Sequence, residues 1–372
     1  MPHRTARRPA SLFLLLPWLA ACVAETTQAN IEQLEAPPGF TVEVLIDGVK
    51  NARQMALTEA GTLIVGTRRA GKVYGIPNAL TAEDPEVITL LKGLTMPSGV
   101  AVQDGDLYVA ATSDVLKIAD IDDHLAARPP TTTITDALPE ERHHGWKYIK
   151  FGADGKLYVP VGAPCNICLS DDRRFASLLQ MDPVSGATTV WAEGIRNTVG
   201  FAWHPVHGDL WFSDNGRDMM GDDIPSEEIN RVAGPGKHFG YPFVHANGVL
   251  DPEFGHHEAG RALEFEPPAI EIQAHSAALG MAFYTADAFP AEYKNALFIA
   301  EHGSWNRSKK VGYRISVVVE QDGELVYRPF IEGWLQGESD WGRPNDVLVT
   351  PAGDLLISDD DEGVIYRVRY AG

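Results

Sequence analysis

The chain has 372 residues, 44% hydrophobic and 22% charged, enough to enclose a large core as two domains or as one extended all-β unit. Its 51 acidic residues outnumber 31 basic ones, for a formal charge of −20. That balance argues against a phosphate-backbone binder, which needs a basic face, and against attraction to an anionic membrane surface.

In chain order, residues 1–22 read as a targeting segment. Arg4, Arg7 and Arg8 form a positive start, and the apolar stretch from Ser11 to Ala21, interrupted by Pro17, is too short to span a bilayer. It ends in Leu19-Ala20-Ala21-Cys22, which resembles a bacterial lipoprotein cleavage site, so lipidation of Cys22 is expected; an ordinary signal peptide with an incidental cysteine is the alternative. The expected location is extracytoplasmic, in the periplasm, with membrane contact only through the lipid anchor. Residues 23–38, polar and acidic, read as a flexible tether, and 39–372 as one domain.

The mature part repeats one unit: an alternating apolar run, a turn carrying Gly, Asp or Asn, and a short apolar strand, often followed by another turn and strand. The units centre on Met55–Val65, Val100–Val109, Lys147–Val159, Phe201–Phe212, Met281–Ile299 and Val347–Ile357. Six such units predict an all-β, six-bladed β-propeller with long insertions in some blades. A two-sheet sandwich is the alternative, and helical periodicity is confined to short pieces near Asp122–Ala127 and Phe289–Lys294. Propellers place ligands in the mouth of the central channel, so chemistry is expected from residues far apart in sequence.

Residues 193–230 concentrate chemistry-bearing side chains. Arg196 and Asn197 precede an apolar run, and a strand at Leu210-Trp211-Phe212 leads into a loop with Asp214, Asn215, Gly216, Arg217, Asp218, Asp222, Asp223, Glu227 and Glu228. A fixed cation beside a carboxylate-rich loop could hold an anionic ligand next to a hard metal ion; a solvated acidic loop is the plain alternative. Cys165 and Cys168, the two cysteines besides Cys22, read as a loop-stapling disulfide in an oxidising compartment. A thiol redox site lacks its βαβ context here, and a zinc knuckle needs two more ligands. His275 and His302 each lie near a serine without a nucleophile elbow, and read as channel-mouth residues.

The order Gly194-Ile195-Arg196-Asn197, Gly200-Phe201-Ala202, Asp214-Asn215-Gly216, Glu227-Glu228-Ile229-Asn230 and Lys237-His238-Phe239-Gly240-Tyr241-Pro242 resembles the pyrroloquinoline quinone (PQQ) dependent sugar dehydrogenases, most of all the sorbosone dehydrogenase type, from about Gly39 to Tyr370. The resemblance implies PQQ and Ca²⁺ as cofactors, a sugar as substrate, and a cytochrome or membrane quinone as electron acceptor. It implies His144, in Arg142-His143-His144-Gly145-Trp146-Lys147, as the general base, with His143 a neighbour or cofactor contact where an acidic residue often stands. Arg196 and Asn197 match the cofactor-binding pair, Arg196 near the reactive carbonyl. Gly216 and Arg217 match the positions whose carbonyls hold Ca²⁺. Asp222, Asp223, Glu227 and Glu228 could hold a second, structural Ca²⁺, with Glu228 the closest match to the family's acid-Asn run. Arg343 matches another cofactor arginine, but Asn345 stands where a second is expected. A lysine contact falls to Lys309 or Lys310, with Arg307 competing. Similar cysteine pairs occur in the sorbosone type. A metal-dependent propeller lactonase and a non-catalytic sugar- or protein-binding propeller are the other readings of such a chain.

Overall fold

Short alternating runs separated by tight turns leave each strand one neighbour on either side, and four-stranded antiparallel meanders follow. The computed structural model describes residues 30–372; the targeting segment, Cys22 and the first part of the expected tether lie outside them. Six sheets form the blades of a propeller, five of them four-stranded and antiparallel; the third adds Lys237–His238 as a fifth strand, parallel to Thr188–Glu193. Their innermost strands are Ala52–Leu57, Gly99–Gln103, Lys150–Phe151, Phe201–Trp203, Ala278–Phe283 and Pro344–Val349, one in each of the six units read from the sequence. The helical pieces reduce to single 3₁₀ turns, among them Ile121–His124 and Ala291–Tyr293.

The ring closes through its termini. Phe40–Ile46 is the outermost strand of the sixth blade and pairs antiparallel with Val364–Tyr370, from Phe40 opposite Tyr370 to Ile46 opposite Ile365. The chain docks earlier than the expected tether boundary. Ile31 is buried among the aromatic side chains of the fifth blade, and Glu35 exchanges backbone hydrogen bonds with Glu332 at 2.8 and 3.1 Å. The apolar side chain of Ile31 and this bridge fix the segment, so within 23–38 the expectation of a free tether fails from Ile31 onward.

The core is distributed between blades, as stacked sheets require. Leu63, Val65, Tyr74 and Ile76 of the first blade meet Leu356 and Ile365 of the sixth. The innermost strands approach one another so closely that glycine is needed: a Cβ on Gly200 would lie 2.0 Å from the Leu279 carbonyl oxygen. This tight hub fixes the start of each innermost strand at one end of the channel, where the site is assembled.

Candidate active site

The mouth of the channel holds a cavity of about 390 Å³ lined by residues of five blades. His144, Arg196, Asn197, Gly216 and Arg343 all line it, brought together from positions up to two hundred residues apart by the common placement of innermost-strand starts. A larger groove of about 780 Å³ runs along the outer edge near His204, Trp211 and Lys294 and contains none of these residues.

His144 is buried and adopts a left-handed backbone conformation, φ 49°, uncommon for a residue with a side chain. Its Nδ1 lies 2.9 Å from the carbonyl oxygen of Ala163. A carbonyl can only accept, so Nδ1 carries the proton and Nε2 keeps its lone pair. Burial, then the charges of Arg196 and His143, hold the imidazole well below its ordinary pKa. It is a neutral base at neutral pH. His143 is exposed, with its ring 4.2 Å from that of His144, and is not among the residues lining the cavity. It stands beside the His144 ring at the border of the cavity.

Arg196 is 4% exposed. Nε donates to the Asn166 carbonyl at 2.9 Å, Nη1 to the Asn215 carbonyl at 2.9 Å, and Nη2 to Asn166 Oδ1 at 2.8 Å and to the Asp218 carboxylate at 3.1 Å. Four of its five N–H groups are therefore committed, leaving one on Nη1. Asp214 accepts the backbone N–H groups of Arg196 and Asn197 at 2.9 and 2.6 Å, which sets the direction of the pair. Asn166 lies between Cys165 and Cys168, which are disulfide-bonded. No sequence pattern pointed to it; its importance comes from a fold that lays the stapled loop across Arg196.

The strand Glu227–Val232 separates two adjacent acids, because successive side chains point to opposite faces. Glu227 reaches the cavity, accepts the Gly216 N–H at 3.1 Å, and is pushed up to about 8 by burial. Glu228, the expected metal ligand, instead accepts from the Ala246 N–H at 2.6 Å and the Asn230 amide at 2.9 Å, away from the cavity. The Arg217 side chain also leaves it, pairing with Asp251 at 2.6 Å. Asp222 and Asp223 bind Ser308 and Arg307, tying two mouth loops together. Among the described residues no three His, Cys, Asp or Glu side chains converge as a metal-binding group. A hard cation at the mouth therefore has Glu227 and backbone carbonyls as its oxygen donors.

Arg343 donates from Nε to the His302 carbonyl at 3.1 Å and from Nη2 to the Gly303 carbonyl at 2.8 Å. Lys309 is exposed and outside the cavity lining, and Lys310 pairs with Asp340. The first blade supplies cations that the sequence reading missed: Arg53, Arg68 and Arg69. Arg53 pairs with Asp360 at 2.7 Å and, with the Asn345 amide oxygen turned toward it, meets Asn345 at 2.7 Å. The cue in the sequence is positional: Arg53 begins an innermost strand just as Arg343 immediately precedes one. Arg68 Cζ lies over the Trp146 ring, 4.0 Å from its centroid. Trp305, 71% exposed, stands at the rim.

Residues 176–367 match the family described as glucose/sorbosone dehydrogenase. An uncharacterized protein of Borreliella burgdorferi is 31% identical over 368 residues, 95% of each chain. The aldose sugar dehydrogenase YliI of Escherichia coli is 34% identical over 192 residues, 50% of this chain and 45% of that protein. Among solved structures, the holo form of the PQQ domain of pyranose dehydrogenase from Coprinopsis cinerea covers 90% of this chain and 97% of its own, with a TM-score of 0.75 at 17% identity, a likeness of fold.

Proposed function

The chain belongs to the glucose/sorbosone dehydrogenase family, and on that premise we propose that it is an extracytoplasmic, PQQ- and Ca²⁺-dependent dehydrogenase that oxidises an aldose or a sugar aldehyde of the sorbosone kind. The observation that carries this reading is a neutral base and five arginines in one cavity of a chain whose formal charge is −20. The donor set suits PQQ, a planar tricarboxylate: guanidinium groups match carboxylates, and Trp146 adds an aromatic wall. Calcium prefers oxygen, and Glu227 with the carbonyls of Gly216 and Arg217 would hold it. When bound, PQQ supplies the two-electron acceptor that takes the substrate's hydride, polarised by the metal.

The chain's own residues do the rest. His144 Nε2 takes the hydroxyl proton of the sugar or of its aldehyde hydrate, while the Ala163 carbonyl holds the tautomer. Arg196, immobilised by Asn166, Asn215 and Asp218, presents its remaining N–H to a developing negative charge without reorganising. Trp305 gives a sugar ring an apolar face at the rim. The reduced site then passes its electrons to a cytochrome or membrane quinone, and lipidation at Cys22 would keep the enzyme beside such an acceptor.

The test is to purify the apo-protein and titrate PQQ with Ca²⁺, following dye-linked oxidation of a panel of aldoses and sorbosone, with His144→Ala in parallel. Activity that needs both additions and falls by about a thousandfold in the variant is expected. A wild type that binds no PQQ and oxidises nothing would sink the reading, and lactones become the next substrates to try.

A further inference from the structure

We propose that Arg68 and Arg69, on the turn between the second and third strands of the first blade, form a carboxylate-binding subsite beside the catalytic base. The proposal rests on the dehydrogenase reading of the cavity and adds to it the group that these two cations meet.

The partners of the cavity's cations decide the matter. Arg196, Arg343 and Arg53 are engaged by carbonyls, amides or carboxylates of the protein itself. Arg68 and Arg69 have no side-chain hydrogen bond or ion pair among the described residues, although both line the cavity. Arg68 is half-buried with Cζ over the Trp146 ring, and its N–H groups have no acceptor among the described residues. The Trp146 ring is 5.9 Å from that of His144, and the Arg68 charge is among those acting on the His144 imidazole.

The charge balance points the same way. Burial, then repulsion by Arg53, Arg69 and Arg343, brings the Arg68 pKa down to about 10 against a partial offset from Asp360. A half-buried cation beside like charges and without a direct partner is unfavourable, and an anion relieves it. The turn is preorganised to wait for one. Asn51 Oδ1 accepts the backbone N–H groups of both Arg69 and Ala70. Gly66 lets the strand before the turn approach so closely that a Cβ there would lie 2.3 Å from the Ser98 carbonyl. A carboxylate is the group whose two oxygens match a guanidinium fork. It can belong to the cofactor or to an acidic sugar such as a uronate, and the two sources separate by experiment.

Arg68→Gln, Arg69→Gln, their double variant and Arg68→Lys are compared with wild type in the full chain. PQQ affinity is read by quenching of tryptophan fluorescence, KM is measured for a neutral hexose and its uronate at saturating PQQ, and melting is followed with and without each ligand. The double variant is expected to lose about tenfold or more in one of these affinities, with Arg68→Lys losing less. Its ligand-free melting temperature should not fall, because repulsion is removed; Arg69→Gln, at an exposed position, carries the test if Arg68→Gln fails to fold. A loss in PQQ affinity assigns the cofactor's carboxylate, and a rise in KM for the uronate alone assigns the substrate's. Unchanged PQQ affinity with an unchanged ratio of the two KM values overturns the subsite. If wild type binds no PQQ, the dehydrogenase reading fails by itself, and the subsite is decided by whether uronate raises the melting temperature of wild type but not of the double variant. Equal or absent protection of both overturns it.

Discussion

His144 acts under constraints that can each be measured. On the proposed reading its neutral form is the base, and burial with Arg196 and His143 holds its pKa well below 6.5. Protonation sets in only as pH falls through that depressed value. The acid limb of kcat/KM is therefore expected below pH 6.5, with no decline from this group between pH 7 and 8. An acid limb at or above the ordinary imidazole value would contradict the assignment. The position of the ring depends on Gly162: a Cβ there would lie 2.5 Å from that of His144 and 3.3 Å from the Arg196 carbonyl. Gly162→Ala should lower kcat/KM by about ten- to a hundredfold through displacement of the base, with a stability cost of about 1–3 kcal/mol. Equal kinetics with unchanged melting would show that the loop yields freely. At this scale the sequence was legible where a residue carries its own chemistry, as at His144, Arg196 and Arg343. It was silent on Gly162 and Asn166, which matter only for what the fold places against them. It could not separate the two adjacent acids, which look alike until the strand sends Glu227 into the cavity and Glu228 away from it.

Among the elements, the loop closed by Cys165 and Cys168 acts as a clamp on Arg196. Asn166 accepts from Arg196 through both its carbonyl and its side chain, and its side chain also accepts the Asp218 N–H at 2.9 Å. Tyr241 anchors the loop by accepting the Cys168 N–H at 3.1 Å. Asn166→Ala removes one arm of the clamp and leaves a buried guanidinium short of an acceptor, worth about 1–3 kcal/mol. The expected result is a fall in kcat of about tenfold with little change in KM for the sugar, and the Cys165→Ser/Cys168→Ser variant should follow the same pattern more weakly because the loop keeps Tyr241. A change in stability without any change in kcat would make the loop a staple only. The sequence reading foresaw the cysteine pair as a staple but not what it holds. For the same reason it overlooked Arg53, Arg68 and Arg69: they belong to a first blade without a recognisable motif, and only the equivalence of blade positions brings them to the mouth.

For the molecule as a whole, six repeats were legible because each blade encodes its own alternation and turns. Ring closure was not, since the pairing of Phe40–Ile46 with Val364–Tyr370 links segments more than three hundred residues apart and neither is unusual by itself. The closing strand is secured by Phe40, whose ring meets Phe289, Phe330 and Tyr370 at 4.8, 5.0 and 4.9 Å, joining the fifth and sixth blades. Phe40→Ala should destabilise the protein by about 3 kcal/mol, by loss of buried area and of aromatic contacts that no neighbour can replace. Because a propeller shares its core between blades, the loss is expected to lower one cooperative melting transition rather than split off a blade. Phe40 stands on the outer strand, away from the cavity, so kcat/KM of the folded variant at room temperature should match wild type. A separate early transition, or a catalytic defect in fully folded protein, would mean that the seam between first and last strand reaches the mouth. An unchanged melting temperature would move the closure from this aromatic cluster to the strand pairing alone.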